Sequence, residues 1–193
     1  MGETATSLRN KSLVIRYDKI NGLSKSHIIC GFRCGWLVTS GKDAALARVK
    51  EALFALSAVR LCGNTLTQLV IPAALDDEES TKKMLVPGGR LYEQRKAVVD
   101  VFSKSEEISC VPNSAAFYVF PKINAELPFK TDLEFGLGLL HEKKILIVPG
   151  SGFEYAGNDH FRIVMLPEPE RLGKAMADIV DFIKEHKGKK HEK

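Results

Sequence analysis

Apolar positions along the chain alternate between two periods, and the alternation predicts a mixed helix and strand protein. Leu13, Val14, Ile15 and Tyr17 form a short β-branched run that reads as a buried strand. Gly31 to Val38 reads as its neighbour. Leu46, Val49, Leu53 and Leu56 recur at helical spacing, so Asp43 to Arg60 is expected to be an amphipathic helix with that stripe packed inward. A second helix is expected over Thr65 to Leu75, perturbed by Pro72. The acidic run Asp76 to Glu79 reads as a linker or a helical first turn.

From Leu91 onward the pattern is that of a compact α/β domain with helices against a sheet. Strands are expected at Phe117 to Phe120, Lys144 to Val148 and Phe161 to Leu166. Thr131 and Glu134 have capping-box spacing, starting a helix whose inner face would be Leu133, Leu137 and Leu140. Pro169 opens the last helix, with Glu168 and Glu170 near its positive end and Leu172, Met176, Ile179 and Ile183 as its buried stripe.

Composition narrows the class. The chain has 193 residues, 45% of them hydrophobic and 27% charged, with a net charge of +4. That suffices for a real core in one large or two small domains. No apolar run approaches a membrane span of roughly 20 residues, and no secretory signal core stands at the N-terminus, so a cytoplasmic protein is expected. The lysines of the tail, Lys184 to Lys193, lack the interleaved aromatics of a single-strand binding surface, and nucleic acid is not expected as a partner. Cys30, Cys34, Cys62 and Cys110 show no zinc spacing, and His141-Glu142 lacks a second histidine, so neither metal nor disulfide is expected.

Gly22-Leu23-Ser24-Lys25-Ser26-His27, followed by Gly31-Phe32-Arg33-Cys34-Gly35-Trp36, holds the most informative chemistry. An amine condenses reversibly with an aldehyde, and a guanidinium offers paired donors to oxyanions while staying charged. This segment resembles the cofactor lysine region of the fold-type I pyridoxal 5'-phosphate (PLP) aminotransferases. The resemblance continues through Arg60-Leu61-Cys62, Pro87 to Arg95, Phe117 to Ile123, Val148-Pro149-Gly150 and Phe161-Arg162-Ile163-Val164, as in the alanine (glutamate-pyruvate) aminotransferase branch.

That resemblance implies Lys25 as the residue joined to the cofactor aldehyde and as general base, Arg33 as the phosphate anchor with Ser24 assisting, and Arg162 as the clamp on the substrate α-carboxylate. Amino acids and 2-oxo acids are the implied substrates, and a homodimer or a complementary N-terminal half the implied partner. Only the second half of the family's length is covered. Its phosphate-cradling helix N-terminus, its ring-stacking aromatic and its carboxylate for the pyridine nitrogen have no counterpart in this sequence, so weak cofactor binding by the chain alone is expected. Residues 1–76 are expected to be a remnant of the PLP-binding large domain, 77–187 the small α/β domain and 188–193 a disordered basic tail.

The chain departs from the family pattern in four places, two of them at Gly22, where a hydroxyl that assists the phosphate is usual, and Cys34, where an aliphatic residue is usual. Ile28 stands where a small residue is usual, and Asn113-Ser114-Ala115-Ala116 replaces a glycine before the Phe117-Tyr118 strand. Two alternatives stay open: a non-catalytic remnant that acts as an interaction module, and other PLP chemistry such as a β-lyase reaction.

Overall fold

The computed structural model describes residues 17–39 and 44–189. The expected strand residues Leu13 to Arg16, the helix start at Asp43 and tail residues 190–193 lie outside them. The chain divides into two compact units, residues up to Thr81 and residues from Lys82.

In the first unit, β1 (Tyr17–Gly22) and β2 (Gly35–Thr39) form an antiparallel ribbon, with Ile20 opposite Leu37 and Gly22 opposite Gly35. A single helical turn, α1 (Leu23–Ser26), and a 3-10 turn over Cys30–Phe32 connect them. α2 (Ala44–Arg60) and α3 (Thr65–Asp76) follow, the latter capped by Asn64, whose side chain accepts from the Thr67 N–H at 3.2 Å. α4 (Glu78–Leu85) starts on Glu78 and Glu79, so the acidic run is a helical first turn. The expected inward stripe of α2 fades along the helix: Leu46 is buried, Val49 and Leu53 are half-buried, and Leu56 is 69% exposed. Among the described residues of this unit nothing covers the last turns of α2, and Phe54 and Val59 are exposed beside Leu56.

The second unit contains the closed core. α5 (Arg90–Phe102), α6 (Asp132–Lys143) and α7 (Pro169–His186) surround short strands: β3 (Ile108–Ser109) pairs with β5 (Lys122–Ile123), and β4 (Tyr118–Val119), β7 (Phe161–Val164) and β6 (Val148–Pro149) form a three-stranded antiparallel sheet in the order β4-β7-β6. Alternation on β7 buries Phe161 and Ile163 and turns Arg162 and Val164 to the other face. Val98, Phe102, Leu139, Phe161, Phe182 and Ile183 pack into one apolar cluster.

α7 matches its sequence reading: Pro169 opens it, and Leu172, Met176, Ile179 and Ile183 are all buried. α6 corrects its reading. Leu133 and Leu137 are exposed, and the inner face is Phe135, Gly136 and Leu139. Gly136 faces Ile147 and Pro149, and a Cβ there would stand in ordinary contact with Ile147 at 3.6 Å. Thr131 caps the helix by accepting the Glu134 N–H at 3.1 Å, and the Glu134 carboxylate accepts from the Lys130 N–H at 2.7 Å. The expected strand at Lys144 to Val148 is shorter in the structure, because Lys144 adopts a left-handed φ of 58° that ends α6.

The Pro87 to Arg95 landmark has a structural explanation. Gly88 takes a φ of 83°, and Gly89 lies so close to α4 that a Cβ would meet the Lys83 carbonyl oxygen and, at 2.7 Å, the Met84 carbonyl carbon. Backbone cannot yield as a flexible side chain can. Gly89→Ala is therefore expected to destabilise the second unit by about 3 kcal/mol, read as a lowered urea midpoint in circular dichroism. An unchanged midpoint would show that the α4–α5 corner relaxes freely.

Candidate functional site

Lys25, Ser24 and Arg33 belong to the first unit and lie on the one connection between β1 and β2. Gly22 and Gly35 close it: a Cβ on Gly22 would stand 2.8 Å from the Cys34 carbonyl oxygen. The Leu23 N–H donates to that same oxygen at 3.2 Å, and Leu23 is fully buried, so α1 is pinned directly before the lysine. Lys25 is exposed on α1 and Ser24 is half-buried. Ser26 donates to the Gly22 carbonyl at 2.9 Å and lies 2.8 Å from His27 Nδ1.

Arg33 ends the 3-10 turn in a left-handed conformation, φ 52°, and donates from Nη1 to the Cys30 carbonyl at 2.8 Å. That single bond orients the guanidinium and uses one of its five N–H groups. A Cβ on Gly31 would meet nothing within 4 Å, so the loop surface beside Arg33 is open. An amine, a hydroxyl and a guanidinium on one short connection form a donor set suited to an aldehyde bearing a phosphate. Ile28 also has a positive φ, 59°, which is costly for a β-branched residue.

Arg162 belongs to the second unit, at the centre of the β4-β7-β6 sheet. Its guanidinium carbon lies 4.8 Å from the centre of the Tyr118 ring and 4.7 Å from that of Phe153. Nε is buried without a hydrogen-bond partner among the described residues. An unsatisfied buried donor costs about 1–3 kcal/mol, which a carboxylate would relieve. Asp159, three residues before it in sequence, lies 2.7 Å from His160 Nδ1 and 3.6 Å from Lys122 Nζ. Burial raises the Asp159 carboxyl, but bonding to His160 and its charge outweigh this, and the group sits below the usual carboxylate range.

Tyr118 and Phe153 are site residues that sequence reading missed, although Tyr118 falls inside a motif and Phe153 follows Pro149-Gly150-Ser151-Gly152. Phe153 ends a 3-10 turn, Gly150–Phe153, held by Asp132. That buried carboxylate accepts from the Ser151 N–H at 2.6 Å and the Ser151 hydroxyl at 2.9 Å, at the positive end of α6. Phe120 extends the aromatic surface, edge-on to Phe153 at 6.2 Å and stacked on His160 at 5.2 Å.

Away from this region, Glu142, Glu185 and His186 gather within 4.8 Å. Lys143 already pairs with Glu185 at 2.9 Å, and His186 Nε2 lies 3.4 Å from Glu142, so the trio acts as an ion-pair network tying α6 to α7. The Lys143 bond holds the Glu185 carboxyl below its ordinary range. Among the described residues all four cysteines are thiols, and no helix is long and apolar enough to cross a membrane.

Residues 3–179 match the family model of class I and II aminotransferases. The chain belongs to that family. It is similar to glutamate-pyruvate aminotransferase AlaA of Haemophilus influenzae, 37% identical over 169 residues that make up 87% of this chain and 42% of the relative. Alanine aminotransferase of Mycobacterium bovis is 35% identical over 84% of this chain and 38% of its own length. Among solved structures, an aminotransferase from Escherichia coli superposes with a TM-score of 0.82 at 35% identity, covering 88% of this chain and 42% of that one. Alanine aminotransferase from Pyrococcus furiosus gives a TM-score of 0.73 at 37% identity, covering 86% and 42%. The mixed α/β architecture is thus a part of the aminotransferase fold, and the chain spans about two fifths of the length of the curated relatives it matches.

Proposed function

We propose that this chain is the C-terminal part of a PLP-dependent aminotransferase of the alanine and 2-oxoglutarate type, acting in the cytoplasm. The observation that carries the reading is Arg162, a guanidinium held against two rings with a buried Nε that has no hydrogen-bond partner among the described residues. Such a group can meet a carboxylate edge-on, and the planar fork fixes the orientation of what it binds. In this reading the substrate α-carboxylate lies on Arg162, so that its amine is directed to the reacting carbon.

PLP, when bound, supplies an aldehyde that condenses with amines and a pyridine ring that draws electrons from the substrate α-carbon. Lys25 Nζ would hold the aldehyde carbon, and Arg33 with Ser24 would hold phosphate oxygens. As general base, Lys25 Nζ would also take up and hold the proton removed from the substrate α-carbon. Residues 1–76 would then be large-domain polypeptide and residues 77–187 the small domain. Further polypeptide would cover the first unit, where Ile20, Val59 and Leu61 are each more than three quarters exposed.

The test is co-expression with the N-terminal three fifths of the Escherichia coli relative, followed by assay of pyruvate from alanine and 2-oxoglutarate. Turnover that disappears with Lys25→Ala is expected. An assembled complex that binds PLP yet yields no pyruvate would overturn the reading.

A further inference from the structure

We propose that Asn113 is a positioning residue for the Arg162 site, acting through the loop that leads into β4. Its Nδ2 donates to the carbonyls of Ala115 at 2.7 Å, Ala116 at 3.3 Å and Tyr118 at 3.1 Å. Three carbonyls around one amide fix which end is nitrogen, since the flipped amide would set oxygen against oxygen. Asn113 Oδ1 is left buried without a partner among the described residues. Its desolvation is a cost the loop bears in order to keep the NH2 group where it is.

What the amide holds is a strained turn. Ala116 has a φ of 63°, a conformation that glycine adopts readily and alanine does not. The strain therefore falls inside the Asn113 to Ala116 segment that departs from the family's glycine, one residue after Ala115. Tyr118 follows two residues later, pairs with Val164 across β7 and lays its ring on Arg162. Arg95 completes the brace by donating from Nε to the Asn113 carbonyl at 2.7 Å, which anchors the loop to α5. Asn113 thus sets one aromatic wall of the arginine as Asp132 and Ser151 set the other.

The proposal rests on the reading of Arg162 as a carboxylate clamp, and the experiment separates the two. In the full chain labelled with nitrogen-15, the Arg162 Nε–H resonance reports the ring currents of its aromatic walls without ligand, and pyruvate is then titrated as the probe. Asn113→Ala is expected to move the unliganded resonance and to weaken pyruvate binding about tenfold. Adding Ala116→Gly is expected to restore both, because glycine supports the turn without the amide; this double variant also serves if the single one does not fold. An unliganded resonance that stays in place in Asn113→Ala, or a shift that Ala116→Gly does not reverse, overturns the role of Asn113. A resonance that responds to Asn113→Ala but never to pyruvate keeps the brace and removes the clamp.

Discussion

Phe182→Ala is expected to destabilise the second unit by about 3–5 kcal/mol, the range for emptying an aromatic position in a closed core. Phe182 is fully buried on α7. Its ring stacks on Phe129 at 5.7 Å and 15°, meets Phe135 at 5.7 Å and touches the His186 ring at 4.3 Å. From α6, Gly138 lies against the same ring: a Cβ there would meet Phe182 at 3.2 Å. Truncation leaves a space bordered by rings and a helix backbone, none of which can collapse into it without losing contacts elsewhere. Since domains have net stabilities of about 5–15 kcal/mol, the variant should approach the unfolding threshold. The measurement is urea unfolding by circular dichroism, because the single tryptophan, Trp36, belongs to the first unit and fluorescence would not report the loss. A cost below about 1 kcal/mol would mean that the cluster repacks and is not a close-packed core.

Arg162→Met is expected to lower the affinity for a carboxylate probe about a hundredfold while leaving the second unit as stable as before, or more stable by about 1 kcal/mol. The two effects have one cause. Nε is a buried donor with no partner among the described residues, so the arginine is held at a cost that ligand binding would remove. Methionine keeps apolar contact with Tyr118 and Phe153 and carries no donor to strand. Arg162→Lys should also lose the probe, because an ammonium cannot present a planar fork between two rings. Pyruvate titration paired with thermal melts checks this. A large fall in melting temperature with binding intact would assign Arg162 to the architecture of the sheet.

Local signals were legible in the sequence and contacts made across the fold were not. Pro169 and the Leu172 to Ile183 stripe define α7 because start signal and periodicity sit within one element. On α6 leucines and phenylalanine occupy nearly every side, so periodicity could not choose a face; Gly136 against Ile147 and Gly138 against Phe129 decide it. On α2 the stripe was real as pattern, but the described chain does not bury its later turns.

The site divides in the same way. Lys25, Ser24 and Arg33 fall on one connection between two strands and could be picked out together. The walls of Arg162 could not: Tyr118 and Phe153 reach it from β4 and from a 3-10 turn, Asn113 supports the first through a loop conformation that no periodicity encodes, and Asp132 supports the second through the distant Ser151 backbone. The strained positions were half legible. Ile28 and the Asn113 to Ala116 segment were visible as departures from a family pattern, and only the backbone shows that Ile28 and Ala116 have positive φ.

The most direct measurement is to equilibrate the chain with PLP, alone and with the complementary N-terminal polypeptide, reduce with borohydride and map the modified lysines by mass spectrometry. The account predicts one dominant modification, at Lys25, that approaches one per chain in the assembled protein and disappears in Lys25→Ala. Sparse modification spread over Lys187, Lys189 and the last lysines in both preparations would contradict it.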